Sequence, residues 1–211
     1  MNPIFITGIG TGVGKTVVSA ILAEALGAAY WKPVQAGCAD GTDSEWVRSV
    51  LSGPAVIHPE AYKLKLAASP HIAAGEEGVR IDLHVIRDRL KEMEADSPQL
   101  IIEGAGGLLV PLNEKEFMAD LAHLLQAKLI LVSRNYLGSI NHSLLTAEVC
   151  RQYKLDVLGW VFNDQYMSYE DEIAHWSGFP KIASIPVVEK ADAAFVSAQA
   201  ALSREGLTKL L

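Results

Sequence analysis

The chain has 211 residues, 50% hydrophobic and 20% charged, with a net charge of −7 and a pI near 5.4. That is enough chain for one well-buried domain spanning 1–211, and its acidic balance argues against general nucleic-acid binding through phosphate contacts. Cys38 and Cys150 lack metal-type spacing, and there is neither a basic-apolar leader nor a run of eighteen apolar residues. The expectation is therefore a reduced, cytoplasmic protein without a membrane segment.

The first element is an apolar strand, Ile4-Phe5-Ile6, followed by Gly8-Ile9-Gly10-Thr11-Gly12-Val13-Gly14-Lys15-Thr16 and a helical stretch from Val17 to Leu26. Strand, glycine-rich turn and helix opening on Gly-Lys-Thr make a phosphate cradle, in which consecutive N–H groups point at negative charge. Lys15 supplies a cation to the terminal phosphates and the Thr16 hydroxyl reaches a magnesium ion. The loop is a variant, because the ordinary motif places a glycine where Ile9 stands.

A second strand, Ala29 to Lys32, ends at Pro33, and Thr42 to Leu51 reads as a helix with Trp46, Val47, Val50 and Leu51 on one face. Lys65 to Gly78 is the least regular stretch and reads as a surface loop over the site. Leu83, Ile86, Leu90 and Met93 recur at helical spacing before the strand Leu100 to Glu103. The strand Leu129 to Val132, a helix from Ser139 to Tyr153, strands at Val157 to Phe162 and Ile182 to Ile185, and an alanine-rich helix over Ala191 to Ser203 complete the pattern. Apolar strands alternating with helices predict an α/β fold: a P-loop NTPase-type, mostly parallel sheet with helices on both faces. Ligands then collect at the carboxyl ends of the strands, which nominates Lys32, Glu103, Ser133 and Asn163.

Four segments carry a family resemblance: Gly8 to Thr16, Lys32-Pro33-Val34-Gln35-Ala36-Gly37, Glu103-Gly104-Ala105-Gly106-Gly107 and Leu137-Gly138-Ser139-Ile140-Asn141-His142. With Ser69-Pro70-His71 and Gly159 to Asp164, in this order, they resemble the dethiobiotin synthases. The resemblance implies an ATP- and magnesium-dependent ligase of biotin biosynthesis that closes the ureido ring of 7,8-diaminononanoate with carbon dioxide. A carbamate forms on one amine, ATP phosphorylates it, and the neighbouring amine attacks the mixed anhydride.

The resemblance also distributes roles. Lys32 and Lys15 are the catalytic cations, and Thr16, Asp43 and Glu103 are the metal ligands, with Asp40 a rival to Asp43 on spacing alone. Nucleotide is held by Thr11, Gly12, Val13, Gly14, Lys15, Thr16 and Val17, by Asp43, Glu103, Gly104, Ala105 and Gly106, and around the base by Asn163, Asp164, Pro186, Val187 and Val188. The substrate meets Lys32 and Ala36, while its tail carboxylate sits at Gly138, Ser139, Ile140 and Asn141. That helix end comes from the partner subunit of a homodimer, so the site lies near the subunit interface. Relatives often carry an acidic residue at Gly10 or Gly12 and a hydroxyl at Ala36, where the contact is here backbone-mediated or absent.

Two other readings use the same loop. Partition or septum-positioning ATPases carry a lysine early in the loop, where this chain has Thr7-Gly8-Ile9. Amide-forming ligases of cobyrinate type need a further amidotransferase domain that 211 residues cannot accommodate.

Overall fold

A computed structural model describes residues 2–93, 99–164 and 166–208. The strands are β1 (Asn2–Gly8), β2 (Ala29–Trp31), β3 (Val34–Ala36), β4 (Ile57–His58), β5 (Tyr62–Leu64), β6 (Gln99–Gly107), β7 (Lys128–Arg134), β8 (Val157–Asn163) and β9 (Lys181–Ile185). The helices are α1 (Lys15–Leu26), α2 (Asp43–Val50), α3 (Pro70–Glu76), α4 (Leu83–Met93), α5 (Met118–Leu124), α6 (Ser139–Gln152), α7 (Glu170–Ser177) and α8 (Ala193–Thr208). Seven strands form one sheet in the order β4-β2-β6-β1-β7-β8-β9, with every pairing parallel. β3 and β5 pair separately.

The period of two along each strand divides the core in two. Phe5, Leu100, Ile102, Leu129, Leu131, Trp160 and Phe162 face one side, under α3 to α7. Ile4, Ile6, Ile101, Ile130, Val132 and Val161 face the other, under α1, α2 and α8. Strands covered on both faces need no polar alternation, so they read as continuous apolar runs. β1 lies between β6 and β7, so the chain leaves its carboxyl end at the point where connections diverge to either side. The glycine-rich loop occupies that crevice.

Several elements differ from the sequence expectation. Pro70–Glu76 is helical, not loop, and buries Ala73 and Ala74. Two small apolar residues in seven leave no amphipathic stripe to read. α5, α7 and the strands β3, β4 and β5 also carry no sequence signal, each being short and stabilised by its tertiary neighbours. α8 runs further than the alanine-rich segment, to Thr208. Among the described residues no helix is long and apolar enough to cross a membrane.

Candidate active site

The loop between β1 and α1 is built around Gly14. Its φ of 93° is left-handed, and a Cβ there would collide with Asn163 Nδ2. Only glycine satisfies both constraints. Asn163, at the end of β8, donates its side-chain amide to Val13 O (3.1 Å), tying the loop to the far half of the sheet. Lys15 opens α1 and turns its ammonium back onto Gly10 O at 2.8 Å. Burial, opposed by Glu103 and Asp43 but aided by Lys32, lowers its pKa to about 8.

The register of β2 on β6 brings the second lysine in. Tyr30 pairs with Ile101 and Trp31 with Ile102, so the next step sets Lys32 beside Glu103. Lys32 Nζ lies 2.8 Å from Glu103 Oε1 and 2.6 Å from Asp43 Oδ2. Burial works against its charge, yet the two carboxylates outweigh that and hold its pKa above the ordinary lysine value. Lys32 and Glu103 are 6% and 1% exposed, so each charge is compensated by its neighbours and not by water.

Asp43 is the first residue of α2, whose N-terminus is fixed by a capping box between Thr42 and Glu45. The cap and a bond from Asp43 N to Gln35 Oε1 (3.2 Å) set its position. Burial pushes its pKa up, but Lys32 and Thr16 prevail and leave it below the usual carboxylate range. Asp40 is exposed on the preceding turn, so the geometry settles which aspartate reaches the cleft.

Thr16 Oγ1 lies 2.8 Å from Asp43 Oδ1 and 2.9 Å from Glu103 Oε1. A hydroxyl has one proton and cannot donate fully to both, which leaves oxygen lone pairs that a cation would satisfy with the hydroxyl as a further donor oxygen. Among the described residues no group of three or more His, Cys, Asp or Glu side chains gathers. Two carboxylates, a hydroxyl and ligand or water oxygens are a hard, sparse donor set that fits magnesium.

These side chains line a cleft of about 740 Å³ that includes Thr11, Gly12, Gly14, Val17, Ala36, Ala105 and Gly106. Ala67 to Pro70 close one side of it, so the segment before α3 does lie over the site. Val13 and Gly104 are packed beneath: Val13 is core, and a Cβ on Gly104 would come within 2.8 Å of the Phe5 ring. Asn163, Asp164, Pro186, Val187 and Val188 line an adjoining groove of about 220 Å³ that shares Val17 with the cleft.

Gly138, Ser139, Ile140 and Asn141 line neither cavity. Ser139 is fully buried, its Oγ 2.7 Å from the Tyr169 hydroxyl, so its side chain neither caps α6 nor faces a ligand. Ser133, nominated by its place at a strand end, pairs with Ser143 at 3.0 Å beneath α6 and has no part in the site. The sequence assigns no site role to Gln35, Val110 or Tyr30. Gln35 and Val110 line the cleft, and the Tyr30 hydroxyl donates to Glu103 Oε2 at 2.9 Å. Tyr30 was findable, since it lies two residues before Lys32 and so on the same face of the strand.

Comparison with known proteins separates fold from activity. A family model described as an AAA domain matches residues 2–194. Among solved structures, the septum site-determining protein MinD of Pyrococcus horikoshii, complexed with Mg-ADP, superposes with a TM-score of 0.63 at 17% identity, over 99% of this chain and 93% of that one. The cell division ATPase MinD of Pyrococcus furiosus gives 0.62 at 16% identity, over the whole of both chains. At such identities the likeness is one of fold. An ATP-dependent dethiobiotin synthetase of Cytophaga hutchinsonii is 54% identical over 77% of each chain. That of Brucella ovis is 45% identical over 88% of this chain and 86% of its own. The chain is an enzyme of the ATP-dependent dethiobiotin synthetase family.

Proposed function

We propose that this protein converts 7,8-diaminononanoate, carbon dioxide and ATP to dethiobiotin, ADP and phosphate. The observation that carries the reading is the second buried lysine, Lys32, held across two carboxylates in the cleft that also contains Lys15. A nucleotide switch of the partition type carries its further lysine early in the loop, where this chain has Thr7-Gly8-Ile9; here the second lysine comes from a strand end. Joining a carbamate to a phosphoryl group brings two anions together, and two cations relieve that repulsion.

In this mechanism one neutral substrate amine adds to carbon dioxide and loses a proton to water, giving a carbamate whose charge faces the Lys32 ammonium. The carbamate oxygen attacks the γ-phosphorus, and the bond to the β–γ bridging oxygen breaks to release ADP. Lys15 and the loop N–H groups hold the transferring phosphoryl group in line. The second amine then attacks the carbamoyl carbon, expels phosphate and closes the ring. Thr16, Asp43 and Glu103 would hold magnesium, which when bound neutralises phosphate charge. Adenine fits the groove beside Asn163, whose Oδ1 is left to accept from the base amino group while its Nδ2 stays on Val13.

The carboxylate tail belongs at the N-terminus of α6. Ser139 N is bonded to Tyr136 O, which leaves the Ile140 and Asn141 N–H groups for an anion. Because this helix end lines neither cavity of its own chain, the reading assigns it to the site of a second subunit in a homodimer. The preceding Leu137 is 91% exposed, which suits a contact between copies.

The test is incubation with 7,8-diaminononanoate, Mg-ATP and carbon-13 bicarbonate, followed by mass spectrometry. Dethiobiotin carrying one labelled carbon, formed in step with ADP, is the expected result. ADP without labelled product would sink the reading.

A further inference from the structure

Glu103 has two oxygens, and its three neighbours divide them unequally. Oε1 faces Lys32 at 2.8 Å and Thr16 at 2.9 Å, while among the described residues Oε2 accepts from Tyr30 alone, at 2.9 Å. The two partners of Oε1 are not fixed to it. Lys32 ends a flexible chain, and its ammonium must turn toward the carbamate to serve the proposed reaction. Thr16 divides one proton between Glu103 and Asp43. Once Lys32 turns away, neither can hold the carboxylate plane.

Tyr30 can. Its ring is fully buried, between Ile57 on β4 and Ile101 on β6 in the sheet, and packed on the α1 side of the core. Its backbone N–H is bonded to Val56 O at 2.9 Å. A phenol in such a place has no freedom to follow the substrate, and it adds no charge to a site with two cations and two anions already balanced. We propose that Tyr30 is a positioning residue: it anchors Glu103 through Oε2, so that Oε1 keeps facing the cation position when Lys32 moves to the substrate.

This rests on the reading of Glu103 as a metal ligand, but its test does not depend on ring closure. Manganese is the probe, titrated into the full-length protein holding ADP and followed by electron paramagnetic resonance. Tyr30→Phe removes only the hydroxyl and keeps the ring. Manganese affinity should fall about tenfold, in the range typical for outer-shell partners of metal ligands, while metal-free ADP affinity stays within about twofold. In a Glu103→Gln background, Tyr30→Phe should add little, since the charged ligand that Tyr30 would orient is already gone. Unchanged manganese affinity, an equal loss of metal-free ADP affinity, or a full further loss on top of Glu103→Gln would each overturn the proposal. A failure to make labelled dethiobiotin would count against the proposed reaction and leave the manganese result standing.

Discussion

Lys15 and Lys32 share two carboxylates yet differ in what holds their protons. Lys32 touches both acids and keeps its charge across the physiological range. Lys15 rests on a carbonyl, and its pKa falls to about 8. Triphosphate restores the charge, because the ammonium is the form that anions favour. The sign follows: below pH 8 Lys15 is already charged and binding takes up little, whereas above it the neutral amine gains a proton on binding. Calorimetry in two buffers of different ionisation heat should therefore show uptake approaching about one proton near pH 9, little near pH 7, and affinity falling between them. For Lys32 the prediction is kinetic. Lys32→Ala should lower kcat for ring closure by about 10²- to 10³-fold with little change in ATP affinity, as expected for charge stabilisation made at the reacting centre. Normal turnover would remove Lys32 from the mechanism.

At the scale of elements, the proposed reading gives most of the binding to helix N-termini. In that reading α1 would offer its N-terminus to phosphate, α2 begins with Asp43, and α6 would offer its first N–H groups to a carboxylate. α6 begins after Gly138, at φ 102°, with no atom within 4 Å of the position a Cβ would take. Gly138→Val therefore acts through backbone strain and not through a clash, and it should tilt the first turn of α6. The expected result is a KM for 7,8-diaminononanoate raised about tenfold, with KM for ATP unchanged, a loss of the size of one to two kcal/mol of strain. Equal effects on both KM values would place the carboxylate elsewhere. The α1 loop and the Lys32 strand end were legible in the sequence because glycine, lysine and proline punctuate them. Asp43 was legible only as one of two candidates until the cap at Thr42 and the bond to Gln35 set it in the cleft.

For the whole molecule, the proposed sharing of sites between subunits makes a quantitative prediction. Lys32→Ala disables the cleft, and at 7,8-diaminononanoate well below KM Gly138→Val cuts the use of the helix end about tenfold. Mixed and re-equilibrated, half the dimers carry one of each, and such a dimer has one site with both parts intact. Under those conditions activity should reach roughly a quarter of wild type if the helix end acts across the interface, and stay at about the few per cent that the Gly138→Val chains supply if it acts within its own chain. The sequence by itself determined the alternation of buried strands and helices, the phosphate loop and the charged strand ends, because these depend on local periodicity and on residues with special backbones. Only the tertiary structure decided that Tyr30 and Glu103 meet through the β2–β6 register, that Ser133 turns under α6, and that Ser139 is tied up by Tyr169. Those contacts join residues 10 to 73 positions apart, and no local pattern encodes which side chains a parallel register will set side by side.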